Sequence, residues 1–334
     1  MRIVVDAMGG DNAPAVNVEG ALAALRAYPD LQITLTGQEE LLRPLLADAQ
    51  DVGERLAVLH APEVIGMDDA PVMAVRRKVH SSLVEGMLLV KEKQADAFVS
   101  AGSTGAVLAG GMFRIGRIEG IDRPAIATPL PLPNRLSLLI DGGANVDCQP
   151  EWLEQFALMG AIYMRRVAGV ADPEVALVNI GVEAEKGNDT VKKAHALLSR
   201  PQPYRFVGNL EARDVSEGMA DVLVCDGFVG NVVLKVLEGM AKTIFGQIKQ
   251  GVEGSLRAKL GGLLMRPMFR KLRGALDATE VGGAPFLGVQ GVVIKAHGNS
   301  NARAIFCAIR QARAMVEAQV VRVISEEVAR LTGE

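Results

Sequence analysis

Arg2-Ile3-Val4-Val5-Asp6-Ala7-Met8-Gly9-Gly10-Asp11-Asn12 opens the chain. A short, nearly unbroken apolar run ends on an acid and then breaks into glycine, aspartate and asparagine. A run of that kind fits a strand buried on both faces, and its ending fits a turn. The same grammar recurs along the chain. Ala97–Ala101 runs into Gly102-Ser103-Thr104-Gly105, and Leu136–Asp141 into Gly142-Gly143-Ala144-Asn145. Val175–Gly181 carries Asn179-Ile180-Gly181, and Val222–Asp226 leads into Gly227-Phe228-Val229-Gly230-Asn231. Val289–Ala296 leads into His297-Gly298-Asn299-Ser300-Asn301. Four further strand candidates are Leu31–Gly37, Leu56–His60, Ala125–Thr128 and Tyr204–Gly208.

Helical spacing fills many of the gaps. Val75, Val79 and Leu83 step by four, and Trp152, Phe156 and Met159 by four and three. Strands alternating with such stretches predict βαβ units, a mostly parallel, Rossmann-like sheet and helices on both faces, an α/β fold in three layers. No repeat, low-complexity tract or Pro/Gly/Ser linker divides the 334 residues, so one large α/β domain over 1–334 is expected.

Composition excludes several classes. A net charge of −3 argues against an electrostatic nucleic-acid binder. The three cysteines, Cys148, Cys225 and Cys307, are odd in number and far apart, which fits a reducing compartment and no disulfide framework. The N-terminus has no signal-peptide pattern, and no apolar run nears the roughly 18–20 residues that span a bilayer. A cytoplasmic protein is expected.

In an open parallel sheet, ligands bind outside the carboxyl ends of the strands. Six loops gathered there would offer many backbone N–H groups and small side chains, which suits an anion. The bland reading of each loop is a turn or a helix cap, and Asn299 or Ser300 could simply cap the last helix. Familiar motifs are missing. There is no G-x-x-x-x-G-K-[ST], no G-x-G-x-x-G after the first strand, no H-E-x-x-H and no G-x-S-x-G elbow. Among four scattered histidines only His297 sits among glycines at a strand end. The basic candidates are Lys186, in the loop after Asn179, and Lys235, four residues after Asn231. Helical lysines are usually surface residues, but beside an anion crevice they serve as point charges.

The segment 240–276 stands apart. It holds eight basic residues and one acid, a net +7, leaving −10 on the rest of the chain. At about 100° per residue, Lys259, Arg266, Arg270 and Arg273 share one side. Leu256, Leu260, Leu263, Leu264, Met268 and Leu272 share the other. This reads as a basic amphipathic helical arm, weakened by Gly261, Gly262 and Pro267. Dimer packing, docking of an acidic carrier protein and contact with anionic lipid all fit such an arm.

Taken in order, nine motifs resemble one family. They are DAMGGDNAP (6–14), A-x-R-x-K-x-x-S-S (74–82), SAGSTGA (100–106), RPAIA (123–127), IDGGANVDCQP (140–150), NIG-x-E-x-x-KG (179–187), DVLVCDGFVGN with Leu234-Lys235 (221–235), GGAP-x-LG (282–288) and HGNSN (297–301). They resemble the bacterial phosphate acyltransferases of phospholipid synthesis, the PlsX family. The resemblance implies transfer of a long-chain fatty acyl group from acyl-carrier protein to inorganic phosphate. The product is an acyl phosphate for a downstream glycerol-3-phosphate acyltransferase. It also implies a fold similar to phosphotransacetylases and isocitrate/isopropylmalate dehydrogenases, a homodimer, and peripheral association with the inner face of the cell membrane. No metal or cofactor is implied.

On this reading Gly9, Gly10, Gly102, Ser103, Thr104 and Gly105 cradle phosphate, and Lys186 and Lys235 neutralise it. Asn231 orients it, and His297 holds a proton or polarises the carbonyl. Asp6, Asp141 and Asp226 orient the groups, because a carboxylate beside phosphate is repulsive. Asp11, Gly282, Gly283 and Ser300 complete the expected substrate-binding set. Two rivals remain: an isopropylmalate-type dehydrogenase with clustered carboxylates, and a non-catalytic carrier-protein or membrane scaffold.

Overall fold

The computed structural model describes residues 1–132, 134–275 and 281–332, and of 256, 270–275 and 332 the backbone alone. The strands are β1 (Arg2–Asp6), β2 (Gln32–Gly37), β3 (Leu56–His60), β4 (Ala97–Ser100), β5 (Ala125–Pro131) and β6 (Leu136–Ile140). They continue as β7 (Glu174–Asn179), β8 (Arg205–Glu211), β9 (Val222–Val224), β10 (Ala284–Leu287) and β11 (Val292–Lys295). The helices are α1 (Ala15–Ala27), α2 (Glu39–Leu45), α3 (Pro71–Arg77), α4 (Ser82–Lys91), α5 (Thr104–Gly110), α6 (Pro150–Arg166) and α7 (Asp189–Leu198). After them come α8 (Gly227–Glu253), α9 (Leu256–Ala275), α10 (Ala302–Glu317) and α11 (Val320–Thr332).

All ten strands expected from the apolar runs are present, with ends shifted by a few residues. The eleventh, β10, is four residues long, contains Pro285 and lies between Gly283 and Gly288. So short a run with a proline carries no strand signal of its own.

One sheet holds all eleven, in the order β3-β2-β1-β4-β11-β10-β5-β6-β9-β7-β8. The first five are mutually parallel, and so are the last four. Between them, β11–β10, β10–β5 and β5–β6 are each antiparallel. Three reversals leave the two parallel halves running in opposite senses. The sheet is mostly parallel, as expected, but its strand ends do not all share one edge.

Side-chain alternation explains how the faces are covered. On one face Val5, Val99, Ile294, Ala127, Ile140, Val224 and Leu177 belong to a single core that runs the length of the sheet. It packs against α1, α6, α10 and α11, including Leu25, Phe156, Ile309 and Ile324. The other face carries two separate cores. Val4, Phe98, Val293, Ile126 and Phe286 lie under α4 and α5. Leu139, Ala176 and Leu223 lie under α8, through Val229, Val233, Leu234 and Leu237. This second layer is therefore divided over the antiparallel junction.

Gly20 shows how closely the continuous face is packed. A Cβ there would lie 2.6 Å from Ile305 Cβ and 2.7 Å from the Ala302 carbonyl oxygen, where α1 meets α10. Gly20→Ala is expected to lower stability by about 1–3 kcal/mol, the usual cost of overpacking. Urea unfolding at equal slope checks this, and an unchanged midpoint would contradict the packing.

Candidate functional site

The loops after β1, β4 and β11 come together. The Asp11 amide donates to the Gly298 carbonyl at 2.8 Å, and Asn12 Nδ2 donates to the Ser300 carbonyl at 3.2 Å. The Ser100 hydroxyl donates to Asp6 Oδ2 at 2.7 Å and accepts the Gly102 amide at 3.0 Å. Gly9 fits here because it has no side chain: its Cβ would stand 2.6 Å from Asp6 Oδ2 and 2.7 Å from the Gly102 nitrogen. Gly10 has φ +101° and packs on Ala101 and the Gly298 carbonyl, a conformation natural to glycine. Asn17, buried on α1, clamps the turn by donating to the carbonyls of Ala7 and Gly9, each at 2.9 Å. Gly105 lies against Pro71 at the start of α3, Ser103 is buried and Thr104 is exposed. The first amides of α5 have no partner within the helix.

Asp6 is buried, and burial pushes its carboxyl above the usual range; hydroxyls of Ser82 and Ser100 and the Met8 and Gly9 amides oppose that rise. With Ser100 on one oxygen and the Met8 amide on the other, Asp6 fastens loops rather than facing a ligand. Ser300 is likewise internal, its hydroxyl donating to the His297 carbonyl at 2.6 Å. The helix cap is Asn301, which accepts the Ala304 amide at 2.9 Å. His297 is exposed on this cluster's surface, and its Nδ1 accepts the Asn299 amide at 3.4 Å. Lys295, which lies in none of the quoted sequence motifs, enters the same cluster. Burial pushes its ammonium down to about 8, against the opposing pull of Asp11 and Asp6. Its signal was a charged residue closing the otherwise apolar run Val292-Val293-Ile294.

A second group forms after β6 and β9. Asp141 is fully buried and accepts the amides of Ile126, Gly143, Ala144 and Asn145 at 2.6–3.1 Å, plus Asn145 Nδ2 at 2.9 Å. Burial raises its carboxyl despite these donors. Asp226 caps α8 by accepting the Val229 amide at 2.7 Å. A Cβ at Gly230 would lie 1.9 Å from the Asp141 carbonyl oxygen, so only glycine lets α8 approach. Asn231, exposed on the first turn of α8, sits over Gly143, whose Cβ would be 3.4 Å from Asn231 Cβ. Lys235 is exposed and pairs with Glu238 at 2.8 Å. Lys186 is exposed on the loop after β7, which Asn179 Nδ2 braces by donating to the Lys186 carbonyl at 3.1 Å.

The second group borders the divided layer. Ala144 packs on the core of Ile126 and Phe286. A Cβ at Gly142 would touch Thr128 Oγ1 at 2.7 Å, Leu234 Cδ1 at 3.3 Å and Ile126 Cγ2 at 3.4 Å, so it lies where both cores end. Gly282 and Gly283 serve packing: the first lies against Cys307 and Gln311 of α10, the second against Ile294 and Lys295. Half-buried Cys148 lies beside Asp141 and Asp226, and burial with those charges pushes its thiol to about 12. At neutral pH it is not the thiolate that nucleophilic attack needs. Among the described residues no three His, Cys, Asp or Glu side chains group as a metal site would. The Asp141 bonds make a prediction. Asp141→Ala would leave the buried Ile126 amide and the half-buried amides of Gly143, Ala144 and Asn145 without their acceptor, at about 1–3 kcal/mol for a buried group, so a loss of at least about 3 kcal/mol in all is expected in chemical denaturation. A loss under 1 kcal/mol would show that the loop holds itself.

Comparison with known proteins agrees with this architecture. Residues 1–323 match the family described as "Fatty acid synthesis protein". A phosphate acyltransferase of Alkaliphilus oremlandii is 48% identical over 331 residues, covering 99% of this chain and 98% of that one. One of Clostridium perfringens is 48% identical over 330 residues, covering 99% and 97%. In three dimensions the chain resembles a phosphotransacetylase from Streptococcus pyogenes with TM-score 0.63 at 19% identity, over 96% of this chain and 94% of that one. A branched-chain phosphotransacylase from Enterococcus faecalis gives TM-score 0.60 at 17% identity, over 95% and 99%. The chain therefore belongs to the fatty acid synthesis protein family, and with it to the acyltransferases.

Proposed function

We propose that the protein transfers a long-chain fatty acyl group from acyl-carrier protein to inorganic phosphate, releasing an acyl phosphate. The observation that carries this reading is the glycine-lined junction of the β1, β4 and β11 loops beside the divided layer, with no activated protein nucleophile at hand. Phosphate is itself the nucleophile. Its oxygen forms a bond to the acyl carbon, the carbon–sulfur bond breaks, and the carrier thiolate leaves. A thiol with pKa near 8.5 needs little acid help to depart. The protein's work is to place phosphate against the carbonyl and to stabilise the tetrahedral oxyanion with N–H donors. Acyl phosphates hydrolyse readily, so the reaction gains from a site that excludes water.

In this scheme Gly9, Gly10 and the 102–105 loop receive phosphate, and Asn231 and exposed His297 stand at the rim. Lys186 is free of ion pairs among the described residues and is available as a clamp, whereas Lys235 must give up Glu238. The dehydrogenase alternative is not favoured, since its clustered carboxylates are missing among the described residues and the family is one of acyltransferases. Mixing the protein with palmitoyl carrier protein and orthophosphate is expected to release free carrier thiol and acyl phosphate only when phosphate is present. Thiol release indifferent to phosphate would overturn the reading. Lys186→Ala should lower turnover at least roughly tenfold, a loss of about 1.4 kcal/mol; unchanged turnover removes Lys186 from the site.

We read the chain as a single α/β domain with segment 240–276 as its arm, a dimer in solution and a cytoplasmic protein that touches the inner membrane face. Among the described residues no helix is long and apolar enough to cross a membrane. The arm comprises the distal part of α8 and all of α9, with Gly262 against Val252 where the two helices pack. Pro267 lies inside α9, which continues through it. Leu260, Leu263, Leu264 and Met268 are exposed, as are Lys259 and Arg266. The side chains of Leu256, Arg270, Leu272 and Arg273 lie outside the described residues. An exposed apolar stripe bordered by cations suits anionic lipid. Co-sedimentation with anionic liposomes is expected to fall with salt and on neutralising Arg266, Arg270 and Arg273. Equal binding by wild type and variant would exclude the electrostatic form.

A further inference from the structure

Lys295 occupies a place that neither Lys186 nor Lys235 has. It closes β11, paired with Ser100 on one side and Ala284 on the other. By alternation Lys295 shares a face with Val293, Ser100 with Phe98, Asp6 with Val4, and Ala284 with Phe286. These four neighbours form part of the core under α4 and α5. Asp6, Ser100 and Lys295 thus form a row at the ends of three adjacent parallel strands, facing the divided layer. Beyond Lys295 the next strand offers only Ala284, a small floor. Continuing the Phe286–Ile126 register brings Ala284 opposite Thr128, which adjoins Gly142 and the wall topped by Asn231. Strands stand about 4.8 Å apart, so the gap from Lys295 to that wall is on the order of two strand spacings.

The charges in this row are unevenly matched. Asp6 spends its oxygens on Ser100 and the Met8 amide. Among the described residues the Lys295 ammonium donates only to the Ala296 carbonyl and forms no ion pair within 4.0 Å. A half-buried cation without a contacting carboxylate is costly alone and well suited to an arriving anion. The surface ion pair of Lys235 has no such deficit.

We propose that Lys295 is the cation that holds inorganic phosphate in the crevice, with the Gly9–Gly10 turn on one side of the ion and the Gly142–Asn231 wall on the other. This rests on the phosphate reading above. Lys295→Met is expected to raise the KM for phosphate at least tenfold while the KM for the acyl donor stays within about twofold. Lys295→Arg should recover part of the loss. An unchanged KM for phosphate in folded Lys295→Met would overturn the proposal. Should the variants not fold, trace acetylation of the wild-type protein at pH 8 decides it. Orthophosphate is expected to protect Lys295, and equal labelling with and without saturating orthophosphate would overturn the assignment. A wild type that makes no acyl phosphate yet protects Lys295 with phosphate would sink the acyl-transfer reading and leave this one standing.

Discussion

The reversal of strand direction across β11, β10, β5 and β6 is the constraint from which the rest of the molecule follows. Parallel strands need crossover helices, and each parallel half therefore brings its own helices to the sheet. On one face the two sets merge into a continuous core. On the other they do not: α4 and α5 cover one half and α8 the other. Both halves of that layer are anchored to the sheet by buried apolar contacts.

Two buried aspartates turn that architecture into defined loops. Asp6 and Asp141 each end or directly follow a strand, and each is held above the ordinary carboxyl range by burial. Each is surrounded by N–H or O–H donors that fix the glycine turn next to it. The cost of burying the acid is offset by the bonds it organises. Glycines then allow backbone to approach backbone, at Gly9 against Gly102 and at Gly230 against Asp141. The result is a set of closely packed main-chain turns beside Lys295, with the nearby Cys148 thiol too basic to act at neutral pH. That arrangement fits the proposed catalysis by placement.

Much of this was legible in the residues. The apolar runs gave ten strands, because a strand buried on both faces admits almost no polar residue. Asp6-Ala7-Met8-Gly9-Gly10 and Asp141-Gly142-Gly143 announced tight turns, because few other residue types make them. Asp226 is a helix cap, and the packing roles of Gly282 and Gly283 exist only against α10 and β11.

What the sequence determined by itself was local: which segments are strands, where they turn, and that the turns carry small polar residues suited to an anion. Tertiary structure decided which turns meet. Strand direction depends on pairing partners distant in sequence, and β10, four residues with a proline, reverses the sheet without announcing itself. The setting of Lys295 arises in the same way. Its charge is visible in the sequence, but its burial between Ser100 and Ala284 exists only once β4, β11 and β10 lie side by side.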